Sequence, residues 1–158
     1  MGKMFDASEI FQLAIRIEEN GEKFYRLMAN KFEGGKLKDT FNFLADEEVK
    51  HEKTFEKFLA KIENYEPAEN FPGEYFQYLR SYADEHIFTK ENTTYLAAGK
   101  IGDEKQALGF AIDREIDSIL YYLEAKNLVP EDKKKEIDKI IDEERHHYLK
   151  LLEIKKTL

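Results

Sequence analysis

Phe41-Asn-Phe-Leu-Ala-Asp-Glu-Glu-Val-Lys-His-Glu-Lys-Thr-Phe-Glu-Lys-Phe-Leu59 is the stretch whose reading decides the fold. Leu37, Phe41 and Leu44, then Phe55, Phe58 and Ile62, step by four and three residues. Such steps stay on one face of an α-helix. Continued through the gap, they land on Glu48 and His51. A carboxylate and an imidazole thus stand where the seam calls for Leu or Ile. A buried carboxylate needs a partner, a shifted pKa or a metal, because its unpaired burial is very costly.

The pattern recurs near the C-terminus. Ile137, Ile140, Leu151, Ile154 and Leu158 form a seam whose intermediate steps land on Glu144 and His147. Glu143 and His146 have the same spacing but lie about 100° round the helix, on the flank. The register therefore selects Glu144 and His147. His146 and His86 read as surface residues.

Working outward, a first helix opens at Asp6 or Ser8, where Asp6-Ala-Ser-Glu9 has capping-box spacing. Its seam is Phe11, Ala14, Glu18, Gly21, Tyr25, Met28 and Phe32, and Gly34-Gly35 ends it. The second helix runs from about Leu37 to Asn64, and Pro67 and Pro72 mark a break. Gly73 to Ile87 reads as a shorter helix in which Tyr75, Tyr78 and Tyr82 supply packing, and Phe88 to Gly102 is ambiguous. Asp103-Glu-Lys-Gln106 caps a third long helix with seam Leu108, Ala111, Glu115, Ser118, Tyr122 and Ala125. A fourth runs from Pro130 to Lys156. About 40 residues separate the second long helix from the third, far more than a tight turn between antiparallel neighbours needs. The expected fold is all-α: an up-down pair, a long crossover carrying its own helix, and a second up-down pair.

The two halves repeat. Glu18 precedes Tyr25 by seven residues, as Glu115 precedes Tyr122. Glu18 to Glu48 spans 30 residues and Glu115 to Glu144 spans 29. Neither half buries its seam alone, so the halves are expected to pair about a pseudo-twofold axis.

Pooled, the polar seam residues are Glu18, Glu48, His51, Glu115, Glu144 and His147. Four carboxylates in one core repel and raise one another's pKa values; two divalent cations would cancel their charge. Oxygen and imidazole donors without sulfur suit iron or manganese and tolerate zinc. Glu-x-x-His puts both ligands on one face a turn apart, so that the carboxylate can bridge two ions while the imidazole caps one. A lone Glu-x-x-His in a Glu-rich helix is ordinarily a solvated face. Two copies in seam phase, each preceded by a matching Glu and Tyr, point to a dinuclear site. Tyr25 and Tyr122 read equally as core aromatics needing a hydroxyl partner or as donors to the ligand carboxylates.

Composition bounds the rest. The chain has 158 residues, 8 Gly and 3 Pro, and a single domain over 1–158 is expected. It has no Cys, which excludes disulfides, thiolate metal sites and thiol chemistry. Net charge is −8 with 37% charged residues, and Lys and Arg are scattered without a basic stripe, so neither nucleic acid nor an anionic membrane is an expected partner. No apolar run spans a bilayer and no signal-peptide core opens the chain, so a cytoplasmic location is expected.

The stretches Ala14-Ile-Arg-Ile-Glu-Glu-Asn-Gly-Glu-Lys-Phe-Tyr25, Glu47-Glu-Val-Lys-His51, Ala111-Ile-Asp-Arg-Glu-Ile-Asp-Ser-Ile-Leu-Tyr-Tyr122 and Glu143-Glu-Arg-His-His147 resemble the rubrerythrin branch of the ferritin-like di-iron carboxylate proteins over nearly the whole chain. The resemblance implies a ferritin-like four-helix bundle and two iron ions. It implies Glu18 and Glu115 as terminal ligands, Glu48 and Glu144 as bridges, and His51 and His147 on one iron each. It implies oxidoreductase chemistry with peroxide or dioxygen, in which two ferrous ions supply two electrons, fed by an external donor. A non-catalytic iron-handling protein with the same site is the alternative, and a homodimer is compatible with either. Two features depart from the family: there is no Cys for a rubredoxin-like iron domain, and Ser118 stands where rubrerythrins carry an extra carboxylate one turn after the third helix's Glu.

Overall fold

The structure is a computed structural model and describes residues 7–62, 73–86 and 99–158. Over these residues it is helical, in the order α1 (Ala7–Lys31), α2 (Gly35–Lys61), α3 (Gly73–His86), α4 (Glu104–Ala125), a 3₁₀ turn (Lys126–Leu128) and α5 (Glu131–Thr157). No strand occurs among the described residues. None of the described helices is long and apolar enough to cross a membrane.

The seams account for the packing. Leu37, Phe41, Leu44, Glu48, His51, Phe55 and Phe58 of α2 are all buried. So are Leu108, Ala111, Glu115, Ser118, Tyr122 and Ala125 of α4, and Ile137, Ile140, Glu144, His147, Leu151 and Ile154 of α5. α1 and α2 pack antiparallel: near their connection Arg26 reaches Asp46 at 2.6 Å, and at the far end the Phe11 and Phe58 rings lie 5.5 Å apart. α4 and α5 form the second antiparallel pair, pinned beside the 3₁₀ turn by Lys126–Asp138 at 2.6 Å. The two pairs close on one cluster of buried apolar side chains, giving the four-helix bundle with a helical crossover that the seams predict.

α3 belongs to the crossover and lies against α1 and α4. It buries Leu79 and Ala83, ties to α1 through Arg80–Glu9 at 2.8 Å and Arg16–Asp84 at 2.6 Å, and donates Tyr82 Oη to the Asp117 carbonyl at 3.1 Å. Those ion pairs are largely exposed, so they orient the helix more than they stabilise it.

Several expectations need correction at the edges. α1 ends at Lys31, before Gly34-Gly35, and α2 starts at Gly35 instead of Leu37. Gly34 ends the connection and Gly35 opens α2, with φ of 91° and 75°. At Gly34 the ψ of 145° completes a conformation that only glycine adopts readily, and a side chain there costs about 1–3 kcal/mol. Open space surrounds it, so the requirement is one of backbone and not of room. Gly34→Ala should therefore lower the unfolding midpoint by an amount corresponding to that cost, measured by urea titration; an unchanged midpoint would mean another turn serves as well. Leu158, read as seam, is 57% exposed, and Tyr78, read as packing, is 58% exposed. The Asp103 cap forms, accepting from Gln106 N at 2.7 Å, but Gln106 Oε1 accepts from Gly102 N and not from Asp103. Asp6, Asn64, Pro67, Pro72, Ile87 and 88–98 lie outside the described residues.

Candidate metal centre

Each long helix delivers its polar seam residues to one point in the middle of the bundle. α1 brings Glu18, α2 brings Glu48 and His51, α4 brings Glu115, and α5 brings Glu144 and His147. All six are at most 4% exposed. Their donor atoms fall into two overlapping groups: Glu18, Glu48, His51 and Glu144, and Glu48, Glu115, Glu144 and His147. Within each group the atoms lie within 4.8 Å of one another. Glu48 and Glu144 belong to both, the arrangement expected of two ion positions with two shared carboxylates. His51 and His147 lie 5.9 Å apart with nearly parallel rings.

The donor set fits metal ions on a further ground. Glu18 Oε2 and Glu115 Oε2 are buried and make no hydrogen bond, and Glu144 Oε1 and His51 Nδ1, although 3.0 Å apart, do not meet in hydrogen-bond geometry either. Buried polar atoms are nearly always satisfied, and unsatisfied oxygens gathered in one ligand cluster mark a place that a cation fits. Hard oxygen and borderline imidazole donors without sulfur match iron or manganese.

The other oxygens of the outer carboxylates are fixed from across the bundle. Tyr25 Oη donates to Glu115 Oε1, and Tyr122 Oη donates to Glu18 Oε1. Each tyrosine thus serves the carboxylate of the opposite half, which gives its buried hydroxyl a partner. The rings also pack as core: Tyr25 stacks on Phe41 at 6.0 Å and Tyr122 on Phe55 at 5.4 Å.

Charge in this enclosure distributes unevenly. Burial, reinforced by Glu18 and Glu144, holds Glu48 well above the usual carboxylate range. Burial and Glu144 do the same to Glu115. Burial alone would lower His51, but the negative charges of Glu18 and Glu144 raise it well above 6.5. Burial acts to raise Glu144 too, yet bonding to Glu115 and the charge of His51 hold it well below 4.5. In the metal-free protein, then, one carboxylate stays ionised beside a charged imidazole while others keep protons.

A pH dependence follows by linkage. Folded Glu48 and Glu115 retain protons that the unfolded chain sheds above about 4.5, so they lower stability as pH rises. His51 contributes fully below 6.5 and loses that contribution as pH climbs through its raised folded value. Glu144 opposes only in acid, where its contribution is lost as pH falls through its lowered value. The metal-free melting temperature should thus fall from about pH 5 to about pH 8, while the increment from added Mn(II) grows, since ions take deprotonated ligands. Melting curves with chelator and with Mn(II) check this; a metal-free melting temperature that rises over the range contradicts the shared-proton cluster.

One residue of the site escaped the sequence reading. Glu143, set aside as flank, accepts from His51 Nε2 at 2.7 Å across the bundle. The signal was present as the acidic doublet Glu143-Glu144, but helical period relates a residue to its own seam and not to the helix facing its flank. A cavity of about 200 Å³ opens on this outer edge of His51 between α2 and α5, lined by Glu47, Lys50, Thr54, Glu136 and Lys139 among others. His146 is exposed and bonds the Asp142 carbonyl at 2.7 Å, as its off-seam register requires. Ser118 is buried with its hydroxyl donated to the Arg114 carbonyl at 3.0 Å.

The chain is similar to known proteins. The profile of the rubrerythrin family matches residues 9–155. A crystal structure from Thermotoga maritima, provisionally described as a ferritin-like diiron-carboxylate protein, is 34% identical over 99% of this chain and 98% of that one, with a TM-score of 0.72. A hypothetical protein from Pyrococcus furiosus is 24% identical over 96% of this chain and 89% of that one, with a TM-score of 0.66, a likeness that speaks to fold alone. No curated protein matches.

Proposed function

Because the chain belongs to the rubrerythrin family, we propose that it holds two iron ions between its four long helices and acts as an oxidoreductase on peroxide or dioxygen. The observation that carries this reading is the pair of four-residue groups sharing Glu48 and Glu144. Glu18 and His51 would hold one ion and Glu115 and His147 the other, with Glu48 and Glu144 available to both. Bound as Fe(II), the two ions would supply the two electrons that, with two protons from water, reduce a peroxide, each iron being oxidised to Fe(III). The chain's own part is to position and to exclude water. Tyr25 and Tyr122 each take one oxygen of Glu115 and Glu18, leaving the second for metal and fixing its direction. Phe41 and Phe55 close the ends of the centre behind them. These 158 residues contain no Cys and hence no thiolate-bound iron to relay electrons, so the reading includes a donor outside them.

Ser118 favours a second reading, iron handling without sustained turnover. Its hydroxyl is committed to the backbone and offers no carboxylate that could move between ions during peroxide reduction. One experiment separates the two. Protein loaded anaerobically with Fe(II) is given stoichiometric peroxide or dioxygen while the ferric charge-transfer absorption is followed, and then an artificial reductant is added. The proposal expects one peroxide consumed per pair of irons, and repeated cycles with reductant. A single cycle that reductant cannot renew supports iron handling. Iron oxidised no faster than free Fe(II) overturns the oxidoreductase reading, and failure to bind iron at all overturns both.

A further inference from the structure

The two halves repeat, yet one carboxylate breaks their symmetry. His51 and His147 occupy equivalent places, and both turn Nδ1 inward: His51 Nδ1 lies 3.0 Å from Glu144 Oε1, and His147 Nδ1 lies 3.3 Å from Glu144 Oε2. Their outer sides differ. His51 Nε2 is 2.7 Å from Glu143 Oε2. A carboxylate oxygen facing Nε2 accepts its proton, so once the inner proton of His51 is lost it is the Nδ1 lone pair that is left for a metal. The residue equivalent to Glu143 in the first half is Glu47, which precedes Glu48 as Glu143 precedes Glu144. Glu47 does not support His147. It pairs with Lys50 at 2.7 Å and lies on the His51 side, where Glu47, His51 and Glu143 offer atoms within 4.8 Å of one another. The His147 ring meets the edge of Phe43 instead, at 6.2 Å and 89°, and among the described residues no carboxylate bonds its outer nitrogen.

We propose that Glu143 is a positioning residue that makes the two metal positions unequal: the ion held by Glu18 and His51 binds first and more tightly, and the ion held by Glu115 and His147 binds second and leaves first. The inference rests on the dinuclear reading above. A carboxylate on the outer nitrogen fixes the imidazole's tautomer and orientation and increases its basicity, and losing such a partner costs about 10–100-fold in metal affinity. Glu143 can do this from the bundle surface, being 37% exposed, while the ring it holds is buried.

Anaerobic Co(II) titration followed by visible absorption and calorimetry tests the proposal without any turnover. Wild type should show two steps of different affinity. E143Q keeps the shape and a hydrogen-bond acceptor but removes the charge; its tighter step should weaken about 10–100-fold and approach the second. E143D should restore part of the gap, which loss of packing alone would not explain, and E47Q should leave both steps in place. Crystals given one equivalent of Co(II) should show the ion beside His51. Two equal steps in wild type, or an E143Q that leaves the steps unchanged or shifts both alike, overturns the inference while leaving two ions bound. Fewer than two ions in wild type overturns the dinuclear reading itself.

Discussion

Replacing Glu48 and Glu144 together by Gln should remove most of the rise in melting temperature that iron or manganese gives the wild-type protein. Both side chains belong to both ligand groups, so the double change strips two donors from each ion position. An ion that binds only the folded chain stabilises it by about 2.7 kcal/mol at a hundredfold excess over Kd, once for each site. For a domain of this size two sites amount to a rise of about 10–20 °C. In the metal-free state the two substitutions act in opposite directions. Glu48→Gln removes a carboxylate that its neighbours repel, whereas Glu144→Gln removes the partner 3.0 Å from His51 Nδ1. The quantity to compare is therefore the metal-induced rise in each protein against its own chelated form. Calorimetric scans of both proteins, with and without metal, give it directly, and an equal rise in both would refute the shared role of Glu48 and Glu144.

His147→Ala should reduce bound metal from two ions per chain to at most one, and His146→Ala should leave it at two. The residues are neighbours, and each is preceded at three residues by a glutamate. Only His147 is buried, at 4% exposure, with Nδ1 beside Glu144. His146 faces solvent and bonds its own helix. Elemental analysis of the two purified variants distinguishes them. Equal loss in both would place the register of α5 wrongly.

This contrast shows how far the sequence could be read. Period alone separated His147 from His146, because a step of three or four residues either continues the Ile140, Leu151 seam or leaves it. The same logic placed Glu18, Glu48, His51, Glu115 and Glu144 at the centre, where all are buried. It reached the tyrosines as seam residues but not their crossed pairing, since nothing along one helix says which carboxylate of another a hydroxyl will meet. Glu143 was missed for a related reason: its flank position on α5 becomes informative only once α2 is set beside it. Tyr78 and Leu158 erred the other way. Each is apolar enough for a core, but α3 turns Leu79 and Ala83 inward instead of Tyr78, and among the described residues nothing covers more than part of Leu158. Seam logic is dependable where four helices overlap and weakens where the bundle runs out.

The most direct measurement is a crystal structure of the iron-loaded protein with anomalous data at the iron edge. The account expects two anomalous peaks per chain, one coordinated by Glu18 and His51 and the other by Glu115 and His147, with Glu48 and Glu144 reaching both. A single peak, no peak, or peaks on the outer edge at Glu143 and His146 would contradict it.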